Sequence, residues 1–110
     1  MDAMIEVLKR WASEGRADCY SQLSAELETE GYRVYHRSTA MSFLLEDACR
    51  REHDHGVPVM LSAIVVNKQH RKPSGQFFEL AKQDPFRRNT DPEWAWSTER
   101  DRVFAYYRQA

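Results

Sequence analysis

The sequence predicts an α+β fold in which amphipathic helices enclose a small sheet or hairpin and a further helix is added at the C-terminus. Three observations lead there. Apolar residues recur at helical spacing in the first quarter of the chain and again over 38–52. An apolar, β-branched run, Val57 to Val66, lies between those helices and a charged loop. A Pro-Ser-Gly turn then sends the chain back. Helical and strand periodicities alternate, as expected when both element types share one core.

Met4, Ile5, Leu8, Trp11 and Ala12 fall on one face of a helix over about 3–14. Asp2 is its expected cap and Gly15 its stop. Tyr20, Leu23, Ala25 and Leu27 predict a second short helix capped by Asp18 and ended by Gly31, since glycine accepts the left-handed conformation of a helix exit. The segment Tyr32-Arg33-Val34-Tyr35-His36 reads as a short strand on its aromatic and β-branched content. Ser38 opens the clearest helix. Met41, Leu44, Leu45, Ala48 and Cys49 form a continuous apolar stripe, opposite Ser42, Glu46, Asp47, Arg50 and Arg51. Gly56 and Pro58 forbid its continuation.

Val57 to Val66 is apolar on both alternations, which predicts a strand covered on both faces. Lys68 to Lys72 is then a solvated loop and Pro73-Ser74-Gly75 a turn. The segment GQFFELAKQ fits either a returning strand or a helical turn. Asp84-Pro85 breaks the chain, and Asp91 with Pro92 predicts the start of a last helix carrying Trp96, Val103, Phe104 and Tyr107.

This order of elements resembles that of a winged helix-turn-helix domain. Tyr20 to Glu28 takes the place of the positioning helix, Thr39 to Glu52 that of the recognition helix, and Asn67 to Gly75 that of the wing. The resemblance covers about residues 3–81. It divides the chain into a winged-helix-like core, 1–83, and a C-terminal helical extension, 84–110, packed on it as one domain. The stretches YSQLSAELE, STAMSFLLEDACRRE, PVMLSAIVVNK and PSGQFFELA also resemble a group of small bacterial and phage winged-helix-like proteins. That group has a strand of type LSAxVVNK and a PGxGFF-like turn, and Ser74 stands here where its pattern has glycine. The resemblance implies a compact domain of microbial or viral origin and carries no site residues across.

Composition narrows the function classes. The chain has 110 residues, one domain's worth, with 42% hydrophobic and 12% aromatic content, enough for a real core. Lys and Arg number 16 against 17 Asp and Glu. Near-neutrality counts against a dedicated nucleic-acid binder but leaves room for a basic patch on one face. Two cysteines, Cys19 and Cys49, make no disulfide framework and predict a reducing, cytoplasmic setting with both thiols buried. The longest apolar run is too short for a membrane helix of about 20 residues, so no membrane partner is expected.

The expected nucleic-acid contacts are Arg37, Ser38, Thr39 and Ser42 at the start of the 38–52 helix, with Lys68, His70, Arg71 and Lys72 on the loop. Short polar and basic side chains at a helix N-terminus suit entry into duplex DNA, and a basic loop suits its phosphates. Glu46, Asp47 and Glu52 on the same helix oppose phosphate, and a mixed-charge face is also what an ordinary solvated helix shows. A charged loop tip equally guards a strand edge. The competing expectation is a protein partner, or a second copy of the chain, recognised through Trp94, Trp96, Tyr106 and Tyr107, residue types enriched in interfaces.

No catalytic residues, metal or cofactor are expected. His53 and His55 with Asp54 and Cys49 are a candidate metal cluster, but His-x-His on a helix sets the rings about 200° apart. There is no HExxH, GxSxG, P-loop or GxGxxG. Cys19 has no local activating base, and Asp18 beside it works against a thiolate. The sequence therefore predicts a non-enzymatic binding module.

Overall fold

A computed structural model describes residues 2–108, the side chain of Asp2 excepted. The chain is mostly helical. Among the described residues five α-helices run α1 (Asp2–Ser13), α2 (Tyr20–Thr29), α3 (Thr39–Asp54), α4 (Gly75–Lys82) and α5 (Trp96–Arg108), with 3-10 turns at Leu61–Ile64 and Arg88–Thr90. The sheet consists of β1 (Asp18–Cys19) and β2 (Val65–Val66), paired in parallel with Asp18 opposite Val65 and Cys19 opposite Val66.

The winged-helix expectation is therefore corrected. A wing needs two antiparallel strands joined by a tip. Here the basic loop follows a two-residue parallel bridge and leads through Ser74 into α4, so no strand returns. The open choice for 76–82 resolves as helix, since Phe77, Leu80 and Ala81 are buried at helical spacing.

The helices read from periodicity are present. All five predicted core positions of α1, from Met4 to Ala12, are buried. Gly15 follows at φ 67, a left-handed conformation that favours glycine, with the flexible end of the Arg108 side chain lying over it. The capping expected of Asp2 rests on a side chain outside the described residues. In α3, Ser38 Oγ accepts the Met41 N–H at 3.2 Å, as a cap should, and Met41, Leu45, Ala48 and Cys49 are buried. Asp18 is not the side-chain cap of α2. Cys19 occupies that position, and the Asp18 carboxylate is held by Arg16 at 2.7 Å and by the Cys19 N–H.

Residues 32–36 form no strand. A strand needs a neighbouring ladder, and the Val34 carbonyl instead accepts the Ser24 hydroxyl. The run 57–66 is not a long strand either. It is buried almost throughout but turns as 3-10 helix over 61–64, leaving only Val65 and Val66 as strand. Continuous apolarity reports burial from all sides, and any backbone meets that condition once its polar groups are paired. Here side chains pair them: the Met60 N–H donates to Glu99 at 2.9 Å, and the Ala63 carbonyl accepts the Trp96 indole N–H at 2.7 Å.

The last helix begins at Trp96 rather than at Pro92. Asp91 turns its carboxylate onto the Glu93 N–H in a local turn, which lets Trp94 fold back toward Glu99. Val103 and Tyr107 enter the same core cluster as Trp11, Leu23, Leu61 and Ile64. The C-terminal segment thus completes the core rather than resting on a finished one. Its residues 109 and 110 lie outside the described ones. Among the described residues no helix is long and apolar enough to cross a membrane.

Candidate functional site

The parallel bridge sets the end of β2 beside the start of α2, because Cys19 pairs with Val66 and the chain then continues as Asn67 on one side and Tyr20 on the other. Asn67 starts the basic loop and folds it onto itself. Its N–H donates to the Lys72 carbonyl at 2.6 Å and its carbonyl accepts from Arg71 at 2.8 Å. Its side-chain oxygen accepts the N–H groups of Gln69 and His70. Arg71 takes the left-handed conformation, φ 55, that closes so tight a loop. The loop is exposed but built, not slack.

Beyond the loop, the Ser74 N–H donates to the Tyr20 hydroxyl at 2.9 Å. That bond ties the start of α4 to the start of α2. The result is a cleft of about 860 Å³ walled by the beginnings of three helices: Cys19, Tyr20 and Ser21 at α2, Arg37, Ser38, Met41 and Ser42 at α3, and Ser74, Gly75, Gln76 and Glu79 at α4. His36, Asn67, Lys68 and Gln69 complete it. Backbone N–H groups in the first turn of a helix have no intrahelical acceptor, and the helix dipole makes that end positive. No side-chain cap satisfies α2 or α4. The beginnings of three helices therefore line one space, those of α2 and α4 without a side-chain cap and that of α3 capped by Ser38.

The charges around it point the same way. Among the described residues, Arg37, Lys68, Arg71 and Lys72 make no ion pair. Most other basic side chains are matched, as Arg16 is to Asp18, Arg50 to Glu46, Arg88 to Glu99 and Arg100 to Asp101. Arg108 also lacks an ion pair but lies far off, across Gly15. Near-neutral net charge thus conceals a local excess. The carboxylates that oppose a phosphate in sequence are spoken for: Glu46 faces Arg50 at 3.6 Å, Asp47 faces Arg51 at 3.8 Å, and Glu52 is buried beneath Lys9 and Tyr107. Glu79, on the cleft wall, lies 3.5 Å from Lys82.

Of the expected nucleic-acid residues, the fold brings Arg37, Ser38, Ser42 and Lys68 onto one surface. Thr39 is exposed at the head of α3 but outside the cleft lining, and His70, Arg71 and Lys72 project from the loop beside it. Sequence reading missed Cys19, Tyr20 and Ser21 and the Ser74–Gln76 stretch. A Ser-Gly pair ahead of the helical spacing of Phe77, Leu80 and Ala81 was the available signal for the latter.

The tail aromatics are largely engaged inside the molecule. Trp94 donates its indole N–H to Glu99 at 2.9 Å, Trp96 donates to Ala63, and Tyr107 is buried against Glu52. Tyr106 alone of the four is exposed, at 37%. The more exposed rings are Tyr32 at 47%, Tyr35 at 64% and Phe43 at 65%, none of them in the tail.

Cys19 lies 3.1 Å from the Ser21 hydroxyl, and Cys49 donates to the Ser62 hydroxyl at 3.1 Å. Burial pushes the Cys49 thiol up, against the hydrogen bonds from Ser62 that favour the thiolate. His53 packs edge-on against Phe86. Among the described residues no group of three or more His, Cys, Asp or Glu is placed to hold a metal ion. No protein-family model, curated protein or solved structure matches the chain.

Proposed function

We propose that this chain is a non-enzymatic binding module, acting inside the cell, that seats the phosphate backbone of a nucleic acid in the cleft between the starts of α2, α3 and α4. One observation carries the reading: Arg37 and Lys68, unpaired with any carboxylate, flank a space onto which three helix N-termini open. Each feature favours an anion, and together they favour a repeated one. The lining between them is rich in hydroxyl and amide groups that suit phosphate oxygens, namely Ser21, Ser38, Ser42, Asn67 and Gln76. Arg71 and Lys72, just outside, extend the positive surface along the path a polyanion would follow.

The test is binding of a labelled oligonucleotide, followed by fluorescence anisotropy between about 50 and 200 mM salt. Binding that weakens steeply with salt, and that Arg37→Ala with Lys68→Ala reduces for all sequences alike, supports the reading. Absence of binding at the lowest salt overturns it. A protein partner is the second reading, favoured by Phe43, an apolar ring left in water on the outer face of α3. Light scattering on the wild type and on Phe43→Ser tests the self-association form of it.

A further inference from the structure

We infer that the nucleic acid is taken as a single strand, with Tyr35 and His36 serving as a stacking platform for unpaired bases at the mouth of the cleft. The inference rests on the phosphate-binding reading above and adds the form of the ligand. It starts from the stretch Tyr32-Arg33-Val34-Tyr35-His36-Arg37, in which aromatic and basic side chains interleave. In the fold this stretch is neither strand nor helix, yet it is anchored. Val34 packs partly on the core, and its carbonyl is held by the Ser24 hydroxyl. The Tyr35 carbonyl accepts both the Ser38 N–H at 3.0 Å and the Ser38 hydroxyl at 2.7 Å. The backbone on either side of Tyr35 is therefore fixed, while its ring is 64% exposed.

That ring lies 4.8 Å from the His36 ring, tilted by 50°, and His36 in turn lines the cleft beside Arg37. An aromatic face next to phosphate seats is of use to a strand whose bases are free to leave their own stack. A duplex keeps its base faces inside the helix and offers only edges and backbone, so the same ring gains little there. A platform ordered before binding also loses less freedom on binding than a slack one. Tyr is common at protein interfaces too, and Tyr32 in the same stretch is also exposed, but Arg37 next to the platform makes no ion pair among the described residues and the cleft it lines is rich in hydroxyl and amide groups, which favours a polyanion over a protein.

The experiment compares a labelled oligothymidylate with a labelled duplex of the same length, at low salt, on the intact chain and on three variants. Expected are a clear preference of the wild type for the single strand and a loss of roughly tenfold in single-strand affinity for Tyr35→Ala, the scale of one base–aromatic stack. Tyr35→Phe, which keeps the ring, retains wild-type affinity, and duplex binding is indifferent to both changes. Equal binding of the two forms, or a Tyr35→Ala variant as tight on the single strand as wild type, overturns the inference and leaves the cleft reading standing. The paired variant Arg37→Ala with Lys68→Ala separates the two claims: if it binds both forms as well as wild type, the cleft reading falls, and with it the platform. Binding of neither form by the wild type has the same consequence.

Discussion

The Tyr20 hydroxyl accepts the Ser74 backbone N–H at 2.9 Å, joining residues 54 positions apart. It links the start of α4 to the start of α2. Tyr20→Phe keeps the ring and removes the acceptor, leaving a half-buried N–H to find water. The expected cost is about 1 kcal/mol in urea unfolding. Oligonucleotide affinity should fall as well, because one wall of the cleft loses its fixed distance. Wild-type affinity in this variant would show that the bond does not position the site.

Four unpaired cations, Arg37, Lys68, Arg71 and Lys72, set an electrostatic expectation. If all four meet phosphates, a plot of log affinity against log salt has a slope of roughly −3 on a single strand. Each alanine substitution lowers the magnitude of that slope by about 0.7 and weakens binding without changing sequence preference. Arg100→Ala, remote from the cleft and paired with Asp101, should leave both quantities unchanged.

Glu99 ties α5 to the apolar segment. Fully buried, it accepts the Met60 N–H at 2.9 Å, Arg88 Nε at 2.8 Å and the Trp94 indole at 2.9 Å. Burial alone pushes a carboxyl up; here the hydrogen bonds from Arg88, Met60 and Trp94 and the Arg88 charge outweigh it and hold Glu99 below the usual carboxylate range. A carboxyl depressed in the folded state contributes stability that is present above its unfolded pKa and is lost as pH falls through its folded value. Stability measured by urea titration should therefore decline as pH drops below about 4.5. Glu99→Gln leaves the half-buried Arg88 without its counter-charge and should cost about 3 kcal/mol at neutral pH, with a weaker acid dependence than wild type.

The two thiols should separate by reactivity. Cys49 is buried and its thiol is pushed up by that burial, so it lacks both access and thiolate. Cys19 is also buried but lines the cleft. Mass spectrometry after brief alkylation of the native protein should find modification at Cys19 first, slowed by bound oligonucleotide, with Cys49 modified only after denaturation. Cys49 reacting first would contradict its packing against Ser62.

Much of the site was within reach of the sequence, because its chemistry is local in part. Ser38 is a cap by residue type and position, Arg37 precedes it, and the basic run after Asn67 is visible as a string of letters. What the letters do not carry is which cations remain unpaired. Glu46 and Arg50 are a helical turn apart and pair predictably, but Arg88 meets Glu99 only through the packing of α5. Nor do they place Tyr20 and Ser74 together, since that contact depends on two residues of parallel pairing, Asp18 with Val65 and Cys19 with Val66, between segments far apart in the chain.

The sequence marked α1, α2, α3 and α5 through apolar residues at helical spacing, left 76–82 open between strand and helix, and marked 57–66 as buried. It did not determine the backbone of that run. An apolar segment surrounded on all sides is equally satisfied as strand or as turn, and the choice fell to the side chains of Glu99 and Trp96, which supply hydrogen-bond partners that a neighbouring strand would otherwise provide. The cleft is likewise a tertiary product: the beginnings of α2 and α4, distant along the chain, are joined through the Cys19–Val66 pairing and the bond from the Ser74 N–H to the Tyr20 hydroxyl, and the beginning of α3 lines the same space.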